Sequence, residues 1–226
     1  HKTPAVTEEQ RQKWLQTLAP FYRELNVSEK DIPIGGGRQP FSQEFADIVS
    51  EFRPKIVSFH FGLPEQKLLQ QIKDSGAVVM SSATTVDEAL WLYQNGADII
   101  IAQGIEAGGH RGWFLNHNLA EQLSLSSLLP QICQKVNIPI IATGGISDDV
   151  TARAARDLGA AGVQVGTAFL LADEATTKQA HREALQSERA RHTVVTNLFS
   201  GGCARGMINR YIEEAGPINE NALPFP

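Results

Sequence analysis

The sequence has 226 residues, of which 42% are hydrophobic and 20% charged, a composition typical of a globular protein with one large core or two small ones. Its net charge of −5, with basic residues spread along the chain, argues against a nucleic-acid-binding surface. No apolar run approaches the roughly 18 residues that span a bilayer, no signal segment opens the chain, and Cys133 and Cys203 lie in neither a disulfide framework nor a metal-ligand motif. We therefore expect a cytoplasmic protein with no structural metal, membrane anchor or nucleic-acid partner.

The first part of the chain is predicted to be helical. A capping-box pattern at Thr7 and Gln10 starts a helix that is predicted to run to Leu25. A loop is predicted over 31–40, and a second amphipathic helix over 41–52. No buried strand is predicted in this part.

From residue 55 onward, short apolar runs alternate with segments of helical spacing. The runs are rich in Val and Ile and bounded by Gly or Pro, which is typical of strands buried on both faces of a parallel sheet; they cover 55–60, 77–81, 98–102, 138–142 and 162–165. The helical segments between them are 64–75, 86–95, 123–136 and 148–158. After residue 166 we predict a helix over 176–187, an extended run over 193–198 and a last helix over 203–215. The sequence therefore predicts an α/β fold.

The predicted strands start 22, 21, 40 and 24 residues apart. Since a βαβ unit needs roughly 20 to 30 residues, each interval holds one crossover helix, and the longest also holds an insertion between Gly104 and Leu119. Five such strands fit a doubly wound sheet, and they equally fit a (β/α)8 barrel of which three units are absent from this chain. Periodicity alone leaves both architectures open.

Ten residues directly after the third predicted strand combine four glycines with an imidazole and a guanidinium, over 103–112 (QGIEAGGHRG). Glycines let a backbone approach a ligand closely, because no Cβ intervenes. The side-chain amide of Gln103 both donates and accepts hydrogen bonds, which suits the edge of a heteroaromatic ring. His110 can act as a general base or as a hydrogen-bond donor, and its place in a glycine-rich loop at a strand end favours an active-site role over a surface position.

Two further glycine turns follow the fourth and fifth predicted strands. Gly144 and Gly145 precede a helix and present free N–H groups and the positive end of a helix dipole, which suits a phosphate. Gly166 and Thr167 end the next strand and add a backbone N–H group and a hydroxyl. Barrel enzymes often build a shared phosphate site from the loops after their seventh and eighth strands. Numbering the last two predicted strands seven and eight favours the (β/α)8 barrel.

Other polar residues near strand ends have two interpretations each. We expect His60 to be a packed, hydrogen-bonded histidine at the barrel mouth, with a place in the pocket as the alternative. Ser82 and Thr84 either contact a ligand or cap a helix. Glu106 either tunes the pKa of His110 or is exposed.

Three segments together resemble the nitronate monooxygenase family, also called 2-nitropropane dioxygenases: AQGIEAGGHRG, IPIIATGGISD and GVQVGTAFLLADEA. The resemblance covers roughly residues 55 to 215, and SFHFG at 58–62 is also similar to the family. Members of the family are FMN-dependent (β/α)8 barrels. The resemblance therefore implies a barrel of the TIM type, about five of whose parallel strands lie in this chain, with FMN as cofactor.

The resemblance also implies roles for particular residues. His110 matches the catalytic histidine of the family, and Gln103 and Gly108 would contact the flavin ring. The FMN phosphate and its neighbourhood would be held by Gly144, Gly145, Gln164, Val165, Gly166 and Thr167. The implied reaction is the oxidative denitrification of alkyl nitronates, such as propionate 3-nitronate, by O2 to a carbonyl product and nitrite, with detoxification as its role. No metal is implied, and a homodimer is left open.

Family members begin with about three further βα units, whose loops include an Asn that contacts FMN, and end with a segment that closes the pocket. The resemblance therefore implies that residues 1–54 form a helical N-terminal segment of the barrel domain and that 55–226 form its C-terminal part. We expect these residues alone not to bind FMN tightly, since an incomplete barrel has open sheet edges. Two rival functions stay open: an FMN-dependent NAD(P)H reductase of quinones or enoyl thioesters, and a non-catalytic phosphate-binding barrel.

Overall fold

A parallel sheet of five strands lies at the centre of the larger part of the fold. The structure, a computed structural model, describes residues 5–31 and 39–224, so most of the predicted loop over 31–40 lies outside the described residues. The chain divides into two compact units, Phe41–Ala190 and a smaller one made of His1–Pro40 with Arg191–Pro226. The assignment of both parts to one barrel domain stays a prediction.

The strands that were predicted from the Val- and Ile-rich runs are confirmed. In chain order, the strands are β1 Ile56–Phe59, β2 Val78–Ala83, β3 Ile99–Gln103, β4 Gly109–His110, β5 Ile140–Thr143, β6 Gly162–Gln164, β7 Thr193–Thr196 and β8 Ala204–Met207. The five-stranded sheet has the order β1-β2-β3-β5-β6, and all of its neighbours are parallel. The predicted α/β alternation is therefore correct.

Helices connect the strands of this sheet, as predicted. The α-helices are α1 Glu8–Glu24, α2 Gln43–Phe52, α3 Gln66–Asp74, α4 Val86–Gln94, α5 Leu125–Lys135, α6 Asp149–Asp157, α7 Gln179–Leu185 and α8 Arg210–Ala215. Among the described residues, 3-10 turns lie at Glu29–Asp31, Leu119–Glu121, Thr167–Leu171 and Glu188–Arg191. The predicted capping box at Thr7 and Gln10 is formed, since each side chain bonds the main chain of the other.

The predicted last helix over 203–215 is wrong in its first half. Ala204–Met207 is strand β8, which pairs antiparallel with β7 and places Arg205 opposite Val195. The helix starts only after Asn209, whose side chain accepts a hydrogen bond from the N–H of Ile212 at 3.1 Å. The strand forms because β7 lies beside it, and this partner is not visible in the local pattern.

The smaller unit has its own aromatic contacts. The ring of Phe21 in α1 packs edge-on against Tyr211 in α8, with centroids 4.9 Å apart, and Phe199 packs against Tyr211 at 5.5 Å. Glu24 and Arg210 form an ion pair between the same two helices. Burial raises the pKa of Tyr211 to about 12, so this hydroxyl is protonated at neutral pH.

The main core lies between the sheet and helices α4 and α5. Four apolar residues of α5 are spaced at i, i+3, i+4 and i+7 and are all buried, as expected for a helix that covers a sheet: Leu125, Leu128, Leu129 and Ile132. They pack with Ile100 of β3 and Leu92 of α4 in one cluster. Burial of this apolar face holds α5 against the strands that end at the site.

The register of the strands brings three strand ends to the same level. Gln103, the last residue of β3, lies beside Thr143 of β5, and Thr143 lies beside Gln164 of β6. Because the carboxyl ends of parallel strands meet at one edge of the sheet, the loops after these strands start side by side.

Leu128→Ala is expected to lower the free energy of unfolding by about 2–5 kcal/mol, because the substitution leaves a cavity in a fully buried position. Chemical denaturation of the two proteins measures the difference. The matched control is Leu25→Ala at a position that is 68% exposed, where we expect a change of less than about 0.5 kcal/mol. Equal effects of the two substitutions would contradict the placement of Leu128 in the core.

Candidate functional site

The loop after β3 lies against the turns after β5 and β6. A Cβ added to Gly108 would come within 2.6 Å of the Thr167 hydroxyl oxygen, and one added to Gly144 would lie 3.1 Å from the N atom of Ala107. Neither approach leaves room for a larger side chain without a shift of its neighbours. The structure therefore brings together three of the predicted glycine segments.

The turns after β5 and β6 are neighbours, as the sequence predicted. The hydroxyl of Thr143 donates to the carbonyl oxygen of Gln164 at 2.9 Å and ties the two strand ends together. Gly145 has a φ of +68°, which favours glycine. Within the described part of the chain, no hydrogen bond is donated by the N–H groups of Gly145, Gly166 or Thr167. These groups can therefore donate to a bound anion.

The N-terminus of helix α6 is less suited to an anion than the sequence suggested. The carboxylate of Asp148 caps this helix and accepts a hydrogen bond from the N–H of Thr151 at 2.7 Å. This bond lowers the pKa of Asp148, so the carboxylate is charged at neutral pH and repels an anion at the helix end. The turn amides are the better donors.

The side chain of Gln103 holds the main chain of the loop that follows it. Both polar ends of its buried side chain bind the main chain of the loop: Nε2 donates to the carbonyl oxygen of His110 at 2.9 Å, and Oε1 accepts from the N–H of Gly112 at 2.7 Å. Its contact with a flavin ring stays a prediction.

The guanidinium of Arg111 stands out in the sequence of this loop, but the sequence predicts no role for it. Arg111 is only 1% exposed, and its Nη1 and Nη2 donate to the carbonyl oxygens of Gly104 at 2.7 Å and Gln103 at 2.9 Å. Its Nε and Nη2 also donate to the side chain of Gln122 at 3.0 and 2.9 Å. The arginine thus ties the end of the loop to its beginning.

A buried carboxylate holds the next part of the same loop. Glu88 of α4 is 1% exposed and accepts hydrogen bonds from the N–H groups of Phe114 at 2.5 Å and Leu115 at 3.2 Å. It also accepts from the N–H and the hydroxyl of Thr84, and Gln122 Nε2 donates to the same hydroxyl at 3.1 Å. Thr84 therefore does not cap α4, whose N-cap is Thr85, and it links Glu88 to Gln122.

His60 packs beside the His110 segment. Its Nδ1 lies 3.0 Å from the hydroxyl of Ser82, and its ring bonds the main chain of His110. A Cβ on Gly112 would come within 2.6 Å of His60 Cε1, so this glycine is what lets the ring approach. The expected hydrogen-bonded histidine is confirmed, and Ser82 is its partner.

The ring of Phe61 lies near both histidines of the site. Its centroid is 4.4 Å from that of His60 and 6.4 Å from that of His110, each in an edge-on arrangement. Phe61 has a φ of +66°, which is uncommon for a bulky residue and marks a strained position. The aromatic ring of Phe61 therefore lies next to the imidazole of His110, which the sequence indicated as an active-site residue.

Glu106 has a structural task as well. Its carboxylate accepts the N–H of Leu125 at 3.1 and 3.0 Å, at the start of α5. His117 stacks on Trp113 with centroids 5.3 Å apart.

Neither the cysteines nor a metal cluster contribute to this site. Neither Cys133 nor Cys203 forms a disulfide bond. Residues 5–31 and 39–224 contain no group of three or more His, Cys, Asp and Glu side chains that could hold a metal ion. Among the same residues, none of the helices has the length and apolar character needed to cross a membrane.

Comparison with known proteins identifies the family. A family model described as nitronate monooxygenase matches residues 4–226. The chain belongs to this family. The nitronate monooxygenase resemblance that the glycine motifs suggested is therefore confirmed.

Two relatives of this chain come from bacteria. A probable nitronate monooxygenase of Staphylococcus haemolyticus is 37% identical over 224 residues, which cover 98% of this chain and 62% of the relative. A second, from Bacillus subtilis, is 38% identical over 180 residues, covering 80% of this chain and 52% of the relative. The chain thus spans between about half and two thirds of the length of these relatives.

A solved structure confirms the barrel-type fold. The nitroalkane oxidase of Streptomyces ansochromogenes superposes with a TM-score of 0.85 at 32% identity, over 98% of this chain and 63% of that one. FabK from Thermotoga maritima superposes with a TM-score of 0.66 at 30% identity, over 78% of this chain and 55% of that one. The predicted α/β fold of TIM-barrel type, with five parallel strands, is therefore confirmed.

The environment of His60 shifts its protonation. Burial of the ring lowers the pKa of His60; a hydrogen bond to the His110 main chain opposes this, and the charges of His110 and Arg111 lower the pKa further. The ring therefore protonates less readily in the folded chain than in the unfolded chain. The stability that the neutral ring carries is present above the ordinary histidine pKa of 6.5 and is lost as the pH falls below it.

We expect the melting temperature of the native protein to fall as the pH decreases from about 7.5 to 5. The melting temperature of the His60→Gln variant should fall less steeply over the same range. The substitution removes the group whose uptake of a proton favours the unfolded chain. Thermal melting followed by circular dichroism over this range measures both slopes. His181→Gln, an exposed histidine in α7, is the matched control and should keep the native slope. Parallel curves for native protein and His60→Gln would contradict the assignment.

Proposed function

We propose that this chain carries the cofactor- and substrate-binding edge of an FMN-dependent nitronate monooxygenase. The proposed reaction converts alkyl nitronates, such as propionate 3-nitronate, and O2 to a carbonyl product and nitrite, with detoxification of nitronates as the role. The observation that carries the proposal is the convergence of three glycine segments at one sheet edge, with His110 in the first of them.

The turns after β5 and β6 fit the phosphate of FMN. The N–H groups of Gly145, Gly166 and Thr167 donate no hydrogen bond within the described residues, and the Thr167 hydroxyl adds a further donor. A Cβ added to Gly166 would meet no heavy atom within 4 Å, so this turn borders open space. Backbone N–H groups in such turns form anion sites. Gly144, Gln164 and Val165 shape the two strand ends from which these groups project.

The flavin ring would lie against the loop after β3. Gly108 has no side chain to occupy this face, and its close approach to Thr167 joins the loop to the phosphate turn. Bound FMN supplies the electron transfer between the nitronate and O2, which no side chain of this chain provides. The part left to the protein is to orient the substrate and to handle its proton.

His110 is the residue proposed for the proton. An imidazole accepts a proton from the carbon beside a nitro group, or donates a hydrogen bond to a nitronate oxygen. The ring of Phe61 stands beside it as an apolar wall, which suits the alkyl part of a nitronate. The loop geometry fixes the main chain of His110 through Gln103 and His60.

In the native protein, His110→Asn is expected to lower turnover of propionate 3-nitronate by about 100-fold or more, because the imidazole that would donate a hydrogen bond to the nitronate oxygen is lost, and loss of one positioned donor costs a factor of this size. Nitrite release with saturating substrate measures the loss, and flavin absorbance per protein shows that FMN remains bound. His181→Asn, on exposed α7, should retain native turnover. Native turnover in His110→Asn would refute the role of His110.

Anaerobic mixing separates the proposed activity from its rivals. A nitronate should bleach the flavin absorbance of the native protein, and NADPH should not. Bleaching by NADPH alone would assign the protein to the reductases, and no bleaching by either would leave a binding protein without turnover. Each of these two results would overturn the proposed function.

Gly166→Ala is expected to weaken FMN affinity by about tenfold or more, about 1.4 kcal/mol, without loss of stability. The added methyl meets no protein atom but enters the space beside the phosphate donors. Fluorescence titration of the apoprotein with FMN, together with thermal melting, measures both properties. The matched control is Gly206→Ala in β8, which likewise meets no atom within 4 Å. An FMN affinity of Gly166→Ala equal to that of the native protein would contradict the proposed position of the phosphate at this turn.

A further inference from the structure

We propose that Gln103 and Arg111 are positioning residues, which hold His110 in place through a reciprocal clamp. In this clamp, each of the two side chains binds the main chain of the other residue or of its neighbours. The proposal rests on the proposed function only in that His110 is taken as the group that handles the substrate. The geometry of the clamp stands on its own.

The first half of the clamp is the side chain of Gln103. It donates to the carbonyl oxygen of His110 at 2.9 Å and accepts from the N–H of Gly112 at 2.7 Å. These two groups lie on either side of Arg111 in the chain. One buried amide thus fixes the main chain immediately before and immediately after the arginine.

The second half is the side chain of Arg111. Its Nη2 donates to the carbonyl oxygen of Gln103 at 2.9 Å, and its Nη1 to that of Gly104 at 2.7 Å. Together with the two hydrogen bonds of the Gln103 side chain, these bonds hold both ends of the segment 104–110 next to Gln103, the last residue of β3. His110 is the last residue of this segment.

The clamp is anchored to the body of the fold through Gln122. The Gln122 side chain accepts from Arg111 Nε and Nη2, and its Nε2 donates to the hydroxyl of Thr84. Thr84 in turn donates to the carboxylate of Glu88 in α4, which also binds the main chain at Phe114. The chain that follows His110 is therefore attached to α4 as well, through Phe114.

The planar guanidinium is required by this arrangement. At least three acceptor atoms of the described residues lie around it in a buried position, and only arginine offers five donors in a fixed fork. A lysine retains the charge but cannot reach the two carbonyl oxygens and the Gln122 amide in the same geometry. Misplacement of a reacting group by about 1 Å is enough to cost about 100-fold in rate.

The test uses Arg111→Lys in the native protein with FMN bound. We expect kcat for nitronate oxidation to fall by at least about tenfold while KM changes little, because binding groups remain and only the placement of His110 changes. The matched control is Arg153→Lys, the same substitution at an exposed arginine of α6, which should keep native kcat.

A second readout does not depend on activity. Hydrogen exchange followed by mass spectrometry should show faster exchange of the amides at 104–112 in Arg111→Lys than in the native protein or in Arg153→Lys. Gln103→Glu should show the same local loss, because a carboxylate cannot donate to the His110 carbonyl oxygen. Peptides of α5 should exchange at the native rate in all variants.

The outcomes decide between the clamp and its alternatives. Native exchange and native kcat in Arg111→Lys would overturn the proposal, and so would faster exchange in every peptide, which reports general loss of stability. Weaker FMN binding with native loop exchange in Gln103→Glu would make Gln103 a cofactor contact instead. If Arg111→Lys does not fold, Gln122→Ala removes an acceptor of the guanidinium and must give the same local increase in exchange.

The proposal and the proposed function fail separately. If the native protein does not oxidise nitronates, the proposed function is wrong. The hydrogen-exchange measurement still decides whether the clamp exists. Conversely, nitronate oxidation with native loop exchange in both clamp variants overturns the clamp alone.

Discussion

Two charged side chains, Arg111 and Glu88, are almost fully buried at the edge of the sheet, and each is matched by polar groups of the same loop. Removal of a charge from water costs several kcal/mol, which is recovered only when hydrogen bonds satisfy the group completely. An irregular buried loop has the converse problem, since its main-chain N–H and C=O groups have no ladder partners. In this loop each group supplies the hydrogen-bond partner that the other lacks. The guanidinium of Arg111 donates to main-chain carbonyl oxygens, and the carboxylate of Glu88 accepts from main-chain N–H groups. Neither the loop conformation nor the buried charges would be stable alone.

The parallel register supplies the frame on which this loop is fixed. Gln103, Thr143 and Gln164 lie side by side as the last residues of three neighbouring strands. Glycines then let the following segments approach each other more closely than side chains would allow. The site therefore combines a long-range property, the alignment of strands, with a local one, the absence of Cβ atoms. Both are needed to bring donors from separate loops to one place.

The sequence predicts the strands and most helices because apolar periodicity is a local signal. It also predicts that the turns at Gly145 and Gly166 are neighbours, because consecutive parallel strands end at one edge. It misses β8, which depends on pairing with β7, and it misses the clamp. Glu88 follows Thr85 at capping-box spacing, so its local pattern indicates a helix start rather than a loop anchor. An arginine inside a glycine-rich, strand-ending segment is the one signal that could have indicated burial.

A glycine-rich loop near a cofactor faces two opposing requirements. Close approach to a planar ring requires positions without side chains, and glycine also has the greatest conformational freedom to lose on folding. The role proposed for His110 in the same loop needs the opposite property, a fixed main chain. Side-chain packing cannot supply it, because the glycines have nothing to pack. Hydrogen bonds from outside the glycines can, provided that they are shielded from water. The buried amide of Gln103 and the guanidinium of Arg111 meet this condition. They lie at the two ends of the glycine-rich segment, where they do not occupy the space that its glycines leave open.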